Sequence, residues 1–480
     1  MSISRIISRL AATAPNRVVA TAGDVRLTAA ELDRASNQWA RTLRQHGVRQ
    51  DSLVTVSLPN GLDFVVACAG VWKAGATPQP VSRGLTGDER SALERIARPA
   101  LVIGVPPVDP SIPSLPPGRH PPDPVSDTTV PDAWANSWKA PTSSGSTGRP
   151  KVVVASAPAL LDPDRPVSAF LPLGATQLVS GPMTHSAVFT YAFRGLMTGH
   201  SLVILPRFDE RRWIDAVERH TVTWALLVPT MMHRLLRLPP EERGLARLRS
   251  LETVLHLGAP CAPGLKRAFL DWIGPRRVVE VYAGSESNGL TMIRGDEWLA
   301  HPGSAGRPVG GTEVRIRRGD GTATEPEETG EIWMRRAQPA TYRYLGADSR
   351  RDDEGWDTLG DLGRLDADGY LYVLDRTDDV INRGGEKVYP VEIERVLEAH
   401  PAVRSAVAYG VPDAEFGQHA EAVADVADAE ISESELLAYL AERLDAARCP
   451  TRVRVVRHPL RDDAGKVRRR AFAADPPVSA

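Results

Sequence analysis

The chain contains 480 residues, of which 42% are hydrophobic and 25% charged, and this ordinary globular usage argues against disorder over most of its length. Its 58 basic and 60 acidic residues leave a net charge of −2, so no overall field attracts nucleic acid or an anionic membrane. Three widely spaced cysteines exclude a disulfide framework and a zinc cluster, and no apolar run is long enough to span a bilayer. We expect a cytoplasmic protein with no nucleic-acid or membrane partner, and we make no prediction of its oligomeric state.

The N-terminal segment reads as alternating helices and strands. Ile3, Ile6, Ile7 and Leu10 recur with helical spacing, which predicts a core helix, with a targeting segment as the alternative. Strands are predicted at 25–27 and 53–58, and helices at 29–45, after an N-cap at Thr28, and at 62–73. Such alternation indicates a mainly parallel sheet covered by helices.

A proline-rich segment interrupts this pattern, which then resumes. Ten prolines between 106 and 131 exclude a helix or a central strand, so we predict an extended surface connection. Strands are predicted at 178–182, 201–205, 224–229 and 253–258, and a helix at 214–220. The fold class is therefore α/β, with doubly wound sheets in the large N-terminal domain.

The pattern changes after residue 301. Short alternating strands with glycine-rich turns at 312–318, 330–336 and 369–375 predict a small antiparallel sheet or β-barrel. A small α+β C-terminal domain follows, with helices predicted at 391–400 and 433–448 and strands at 403–409, 420–426 and 451–456. We place the hinge near 376–379 and predict two domains, 1–375 and 376–480.

The strongest local motif is TSSGSTGRPK at 142–151. Gly145 and Gly148 let backbone amides turn toward an anion, the hydroxyl side chains donate to it, and Lys151 adds positive charge. The order of residues is not that of the P-loop, because no Ser or Thr follows the lysine. The alternative interpretation is a polar serine–glycine linker.

Three further motifs follow in the chain. They are YAGSE at 282–286, the long block DTLGDLGRLDADGYLYVLDRTDDVINRGGEKVYPVEIE at 357–394, and GKVRRR at 465–470. Together with the 142–151 loop, they resemble the adenylate-forming superfamily of acyl-CoA synthetases, adenylation domains and luciferases. The resemblance covers nearly the whole chain in the expected order, and Ser285 departs from it by replacing the usual threonine.

The resemblance implies that ATP activates a carboxylic acid as an acyl-adenylate, with release of pyrophosphate, before the acyl group passes to a thiol. ATP, Mg²⁺ and coenzyme A are the implied cofactors and co-substrates, and Glu286 is the implied magnesium ligand. The residues implied to wrap the β- and γ-phosphates are Thr142, Ser143, Ser144, Gly145, Ser146, Thr147, Gly148 and Lys151.

The same resemblance assigns the rest of the nucleotide site. Asp361 and Arg376 are implied to bind the ribose, and Tyr282 to stack on adenine. Its neighbours Ala283, Gly284 and Ser285 complete the motif, and Gly258, Ala259 and Pro260 are implied to line the other face of the base. An ordinary end of a core strand is the alternative for that last strip.

Lys466 is implied to be the lysine that reaches into the site during adenylation. Only six of the 58 basic residues are lysines, so a position that stays lysine is a candidate for a compact ammonium. His185 is implied to lie at the substrate or thiol channel, with a structural histidine as the alternative. Gly384 and Gly385 match a loop along the pantetheine tunnel, and Asp378 matches the hinge position.

No acidic residue lies between 181 and 199, where amino-acid-activating members carry an aspartate. This favours an apolar acid without an amino group, and the pocket candidates are Phe189, Tyr191, Phe193, Met231, Met232, His256 and Met292. We favour an acid–CoA ligase. The alternatives are a stand-alone enzyme that loads a carrier protein or an amine, and a catalytically silent nucleotide-binding regulator.

Overall fold

The computed structural model describes residues 1–123, 125–144, 150–337, 340–426, 430–461, 465, 467 and 469–474. The helices in this part are α1 (Ile3–Thr13), α2 (Ala29–Gln45), α3 (Leu62–Lys73), α4 (Gly87–Ala97), α5 (Ser186–Met197), α6 (Glu210–His220), α7 (Pro229–Leu236), α8 (Pro263–Ile273), α9 (Gly295–Ala300), α10 (Pro390–Glu398), α11 (Glu433–Ala441) and α12 (Arg469–Ala474). Short 3₁₀ turns cover Leu245–Leu248, Pro275–Arg277 and Thr377–Asp379.

The strands of the N-terminal 300 residues are β1 (Val18–Ala22), β2 (Val25–Thr28), β3 (Leu53–Ser57), β4 (Thr77–Pro80), β5 (Leu101–Gly104), β6 (Ser114–Leu115), β7 (Thr142–Ser144), β8 (Pro150–Ala155), β9 (Thr176–Val179), β10 (Ser201–Ile204), β11 (Trp224–Leu227), β12 (Thr253–His256), β13 (Val278–Ala283) and β14 (Leu290–Arg294). The later strands are β15 (Arg307–Pro308), β16 (Thr312–Arg317), β17 (Gly330–Arg336), β18 (Tyr342–Leu345), β19 (Asp357–Leu365), β20 (Leu371–Arg376), β21 (Ile381–Arg383), β22 (Glu386–Val388), β23 (Ser405–Asp413), β24 (Gly417–Asp425) and β25 (Arg452–Val456).

Two parallel sheets form the body of the fold. The larger has the order β15-β14-β13-β12-β11-β9-β10-β1-β2, with a parallel centre and antiparallel edges. The smaller has the parallel order β4-β3-β5-β6. Every residue of α3 except Asp63 is buried, because this helix lies in the main hydrophobic core beside α1 and α2. The α/β class with doubly wound sheets is confirmed.

The first elements fold as their sequence predicts. Ile3, Ile6 and Ile7 are buried on one face of α1, so this helix belongs to the core. The Thr28 side chain accepts a hydrogen bond from the backbone of Glu31, and Glu31 accepts one from the backbone of Thr28. This capping box satisfies amides at the start of α2 that would otherwise lack partners.

The remaining sheets are small. The antiparallel sheet β16-β17-β19-β20 lies where short alternating strands were predicted, and β18-β8-β7 holds the serine- and glycine-rich motif at one edge. Strands β22-β21-β24-β23, with β25 beside β24, form a separate sheet with its own hydrophobic core. The boundary between residues 375 and 376 stays a prediction.

One predicted helix is too long. We expected it to cover 433–448, but α11 ends at Ala441. Further along the predicted helix, the Asp445 side chain accepts a hydrogen bond from the backbone of Arg448, so this part of the segment is a local turn. The described part of 106–131 holds only the two-residue β6, as its prolines require. No helix among the described residues is long and apolar enough to cross a membrane.

Candidate active site

The serine- and glycine-rich motif forms the end of a β-hairpin. Strands β7 and β8 pair so that Ser143 lies opposite Lys151, and β18 pairs with the other edge of β8. Residues 145–149, which include the predicted Gly145, Ser146, Thr147 and Gly148, lie outside the described residues. The hairpin therefore fixes the position of Lys151 at one end of the loop.

Lys151 and Glu286 meet at the base of this loop. Lys151 Nζ lies 3.3 Å from Glu286 Oε1 and 3.9 Å from the centre of the Tyr344 ring. The Tyr344 hydroxyl donates to the same carboxylate oxygen at 2.6 Å. Burial first, and then the Glu286 charge, raise the pKa of Tyr344 above its usual value, so this hydroxyl stays a donor. Two motifs separated by 130 residues thus form one charged cluster.

Tyr282, Asp361 and Arg376 form a second cluster. The Tyr282 hydroxyl donates to Asp361 Oδ2 at 2.7 Å, and Arg376 Nε lies 3.1 Å from Asp361 Oδ1. Burial, followed by the Asp361 carboxylate, raises the pKa of Tyr282, and the Asp361 charge raises the pKa of Arg376. Tyr282 is therefore held through its hydroxyl group as well as by packing, which the sequence did not predict.

The strip at Gly258, Ala259 and Pro260 follows the end of β12. Gly258 has a φ of 93°, a conformation that favours glycine. A Cβ atom added at Gly465 would lie 3.7 Å from Ala259 Cβ and 3.6 Å from Val228 Cβ. Lys466 itself lies outside the described residues. Gly465, the first residue of the C-terminal motif, therefore lies against the strip.

His185 is the N-cap residue of α5, so it lies at the junction of a core strand and a helix. Gly384 and Gly385 form the turn between β21 and β22, with φ angles of 58° and 91°. The other residues of the Tyr282 motif lie on or just after β13. They are Ala283, Gly284 and Ser285. The catalytic and thiol-channel roles of these residues stay predictions.

Most of the pocket candidates pack in the core. Phe189 and Phe193 contact each other and join Phe64, Trp72 and Trp138 in an aromatic cluster. Tyr191 packs against Phe170 and Trp224, and Met231, Met232 and His256 are fully buried. Met292 is partly buried at the edge of the same core. Core packing is therefore the main role that the structure gives these side chains.

The expected hinge joins strand β20 to the C-terminal sheet. Asp375 Oδ2 accepts from the backbone of Val391 at 2.9 Å, and Arg469 Nη1 lies 3.1 Å from Asp375 Oδ1 and 2.7 Å from Asp379 Oδ2. These contacts cross the 3₁₀ turn that contains Asp378. A rotation at Asp378 would have to break the contacts of Asp375.

Replacing Asp378 with proline is expected to slow thioester formation by roughly tenfold or more, and adenylation much less. Proline fixes φ, and hinge residues are those that absorb φ and ψ changes. The measurement compares pyrophosphate release with conversion of a supplied acyl-adenylate to thioester. An equal loss in both steps would refute the hinge role of Asp378.

Glu286 fits a role as a magnesium ligand. Glu286 is 7% exposed, and hard oxygen ligands such as its carboxylate are those that Mg²⁺ prefers. Among the described residues, no group of three or more acidic, histidine or cysteine side chains could hold a metal ion. A single carboxylate suffices where nucleotide phosphates and water supply the other ligands.

Sequence reasoning missed Tyr344 and gave no role to Lys139. Tyr344 carries no motif signal, because its contact with Glu286 depends on the pairing of β18 with β8. Lys139 is one of the six lysines, and this scarcity was the available signal. Its side chain is buried and donates to Ser186 Oγ at 3.1 Å and Thr190 Oγ1 at 2.7 Å.

Comparison with known proteins identifies the family of the chain. Residues 7–342 match the model of the AMP-binding enzyme family, and residues 392–466 match that of the AMP-binding enzyme C-terminal domain. The chain is 28% identical to a long-chain-fatty-acid–CoA ligase of Mycobacterium tuberculosis, over 92% of both chains. It is 30% identical to a feruloyl-CoA synthase of Amycolatopsis sp, over 93% of both chains.

A solved structure is similar over the same extent. The o-succinylbenzoate CoA synthetase of Bacillus subtilis, in complex with an acyl-adenylate intermediate, superimposes with a TM-score of 0.83 and 26% identity, covering 97% of both chains. The relatives confirm the expectation of an AMP-forming ligase of the acyl-CoA synthetase type. Since the first family model alone spans well over half of its length, this chain belongs to the AMP-binding enzyme family.

Proposed function

We propose that this chain is an acid–CoA ligase, which uses ATP to activate a carboxylic acid as acyl-adenylate and then transfers the acyl group to the thiol of coenzyme A. The observation that carries the proposal is the position of Gly465 against Ala259. This contact supports the proposal, because Gly465 directly precedes Lys466 in the sequence and Ala259 belongs to the strip implied to line the base. Four motifs spread over more than 300 residues of the sequence then serve one site.

In the first half-reaction, a substrate carboxylate oxygen attacks the α-phosphorus of ATP and the bond to pyrophosphate breaks. Negative charge crowds around the phosphorus, so the protein must supply positioning and positive charge. Lys151 would neutralise the β- and γ-phosphates, and Lys466 would neutralise the oxygens near the reacting carboxylate. A magnesium ion on Glu286, when bound, would supply further charge neutralisation of the phosphates.

The second cluster would hold the nucleoside. Asp361 offers two carboxylate oxygens to the two ribose hydroxyls. Oδ2 already accepts a hydrogen bond from Tyr282, and Oδ1 forms an ion pair with Arg376. A carboxylate held from two sides is preorganised, because its rotamer does not need to be selected when the ribose binds. Tyr282 would meet the base with its ring while its hydroxyl keeps the carboxylate in place.

In the second half-reaction, the thiol sulfur attacks the carbonyl carbon of the acyl-adenylate and the bond to AMP breaks. The C-terminal domain would rotate about Asp378 between the two steps, carrying Lys466 away and bringing Gly384 and Gly385 toward the thiol. Glycine at these positions permits a narrow thiol arm to pass close to the backbone.

A panel of carboxylic acids, assayed for acid-dependent pyrophosphate release, tests the proposal. The acids that respond are then incubated with coenzyme A or with a phosphopantetheinylated carrier protein, and the products are identified by mass spectrometry. We expect AMP, pyrophosphate and an acyl-CoA. Thioester on the carrier alone would shift the assignment to a stand-alone adenylating enzyme, and release of ADP and phosphate would refute adenylation.

A further inference from the structure

Lys139 differs from the other buried or partly buried lysines of the described chain in having no carboxylate beside it. Lys73 Nζ lies 2.6 Å from Asp33 Oδ1, Lys266 contacts Glu280, and Lys151 contacts Glu286. Lys139 is 3% exposed, and among the residues that the structure describes its ammonium donates to the hydroxyls of Ser186 and Thr190 alone. Buried charges are normally paired, so an unpaired buried ammonium needs an explanation.

A second cation lies beside this ammonium. The Arg194 guanidinium stacks 4.1 Å from the centre of the Trp138 ring, and Lys139 Nζ lies 5.3 Å from the same centre. Ser186, Thr190 and Arg194 are spaced by four residues, so they share one face of α5. Among the described residues, no carboxylate oxygen forms an ion pair with Lys139 or Arg194. The face therefore offers two cations and no anion.

Backbone register and chain neighbours link this cationic face to the site. The backbone amide of Ala155 donates a hydrogen bond to the carbonyl oxygen of Lys139. Lys139 therefore lies opposite Ala155 in the same strand register that sets Ser143 opposite Lys151. Paired residues of antiparallel strands share a face, so Lys139 leaves the hairpin on the same side as Lys151. The ammonium group of Lys139 contacts Ser186, which directly follows His185, the residue predicted to lie at the substrate or thiol channel.

We propose that Lys139, Ser186, Thr190 and Arg194 bind a second carboxylate of the acid substrate, remote from the carboxylate that is adenylated. The substrate class is then a dicarboxylic acid, which revises the expectation of an apolar acid. This proposal rests on the proposed function and deepens it. The absence of acidic residues between 181 and 199 agrees with this proposal. A segment without carboxylates disfavours a substrate that carries an ammonium group there and favours one that carries an anion.

The protonation of Lys139 agrees with this arrangement. Burial, and to a lesser degree the Arg194 charge, lower the pKa of Lys139 to about 7, against a slight opposing effect of Glu286. A bound carboxylate would favour the charged form. We therefore expect the KM for a dicarboxylic acid to rise as the pH increases above 7, because the ammonium loses its proton, whereas the KM for a matching monoester stays level.

The experiment compares dicarboxylic acids with their monomethyl esters of the same chain length, by acid-dependent ATP–pyrophosphate exchange. We expect the wild-type protein to prefer the diacid by about 10- to 100-fold in kcat/KM, the range for a hydrogen bond to a charged group. Lys139→Met should remove this preference through the KM for the diacid, and keep both the KM for ATP and the activity on the monoester.

Arg343→Met is the matched control. Arg343 is an exposed cation on β18, opposite Val154 on the other face of the same small sheet, and its removal should leave the diacid preference unchanged. A wild-type protein that adenylates monoesters as well as diacids, or a Lys139→Met protein that keeps the preference, would overturn the inference while adenylation stands. An absence of pyrophosphate exchange with every acid would instead refute the proposed function.

Folding of the variant is checked by its Tm, which gives an independent result. The unfolded chain holds the Lys139 proton up to its ordinary pKa of 10.5, so the penalty for the buried charge is complete below pH 7 and disappears toward pH 10.5. Without ligand, Lys139→Met should therefore have a higher Tm than the wild-type protein at pH 6.5, and the difference should shrink by pH 10. A difference that is independent of pH would contradict an unpaired buried ammonium.

Discussion

Lys466→Ala is expected to lower acid-dependent pyrophosphate release by about 10²–10³-fold, the usual cost of removing a preorganised charge contact in a transition state. The same variant should still convert a supplied acyl-adenylate to thioester, because under the proposed rotation the C-terminal domain would by then have carried residue 466 out of the site. The measurement is the rate of each half-reaction, with the folded state checked by thermal unfolding.

Lys466→Arg separates the geometry of the ammonium from its charge. The planar guanidinium cannot replace a compact ammonium among crowded oxygens, so we expect weak rescue of the first half-reaction. In contrast, Lys151→Ala should chiefly raise the KM for ATP, since Lys151 lies at the end of the loop that is predicted to bind the phosphates. If Lys466→Ala kept normal adenylation, or lost both steps alike while folded, its assignment as the adenylation lysine would be wrong.

Glu286→Gln is expected to produce the second large loss, of about 10²–10³-fold in adenylation. The amide keeps the size of the side chain but removes the negative charge from the proposed magnesium ligand, so saturation should need a higher Mg²⁺ concentration. It also leaves Lys151 without its carboxylate partner. The measurement is a magnesium titration of pyrophosphate release at fixed ATP concentration.

Tyr344→Phe provides the matched control for Glu286. It removes one hydrogen bond of 2.6 Å to the same carboxylate oxygen and leaves the charge in place. We expect a loss of roughly tenfold or less, with little change in the Mg²⁺ dependence. A Glu286→Gln protein with a normal rate and an unchanged magnesium titration would show that Glu286 holds no metal.

The local structure could largely be predicted from the sequence, because periodicity and capping are local properties. The helix that follows Thr28 and the buried α3 begin and end at the predicted residues. The end of α11 was missed, and the turn at Asp445 within the predicted helical segment depends on one side chain that accepts a hydrogen bond from a nearby amide. Boundaries of this kind are set by a single contact and not by a pattern.

Only those site residues that belong to a recognisable motif could be predicted from the sequence. Glu286 and Lys151 are recognisable in the sequence, but their 3.3 Å contact follows from the way distant segments pack. Tyr344 and Lys139 carry no motif, and their partners are set by strand pairing and by the position of α5. Residues that belong to no motif are brought to a site by strand pairing and helix position. Patterns in a single sequence do not determine these features.

The measurement that tests the central claim most directly follows oxygen from the substrate. The best acid of the panel is labelled with ¹⁸O in its reacting carboxylate and incubated with ATP and coenzyme A. If an acyl-adenylate forms, one labelled oxygen bridges to the α-phosphorus, and AMP carries it away when sulfur attacks the carbonyl carbon. We predict one ¹⁸O atom in AMP and none in pyrophosphate. Label in inorganic phosphate, with ADP as the nucleotide product, would contradict the account.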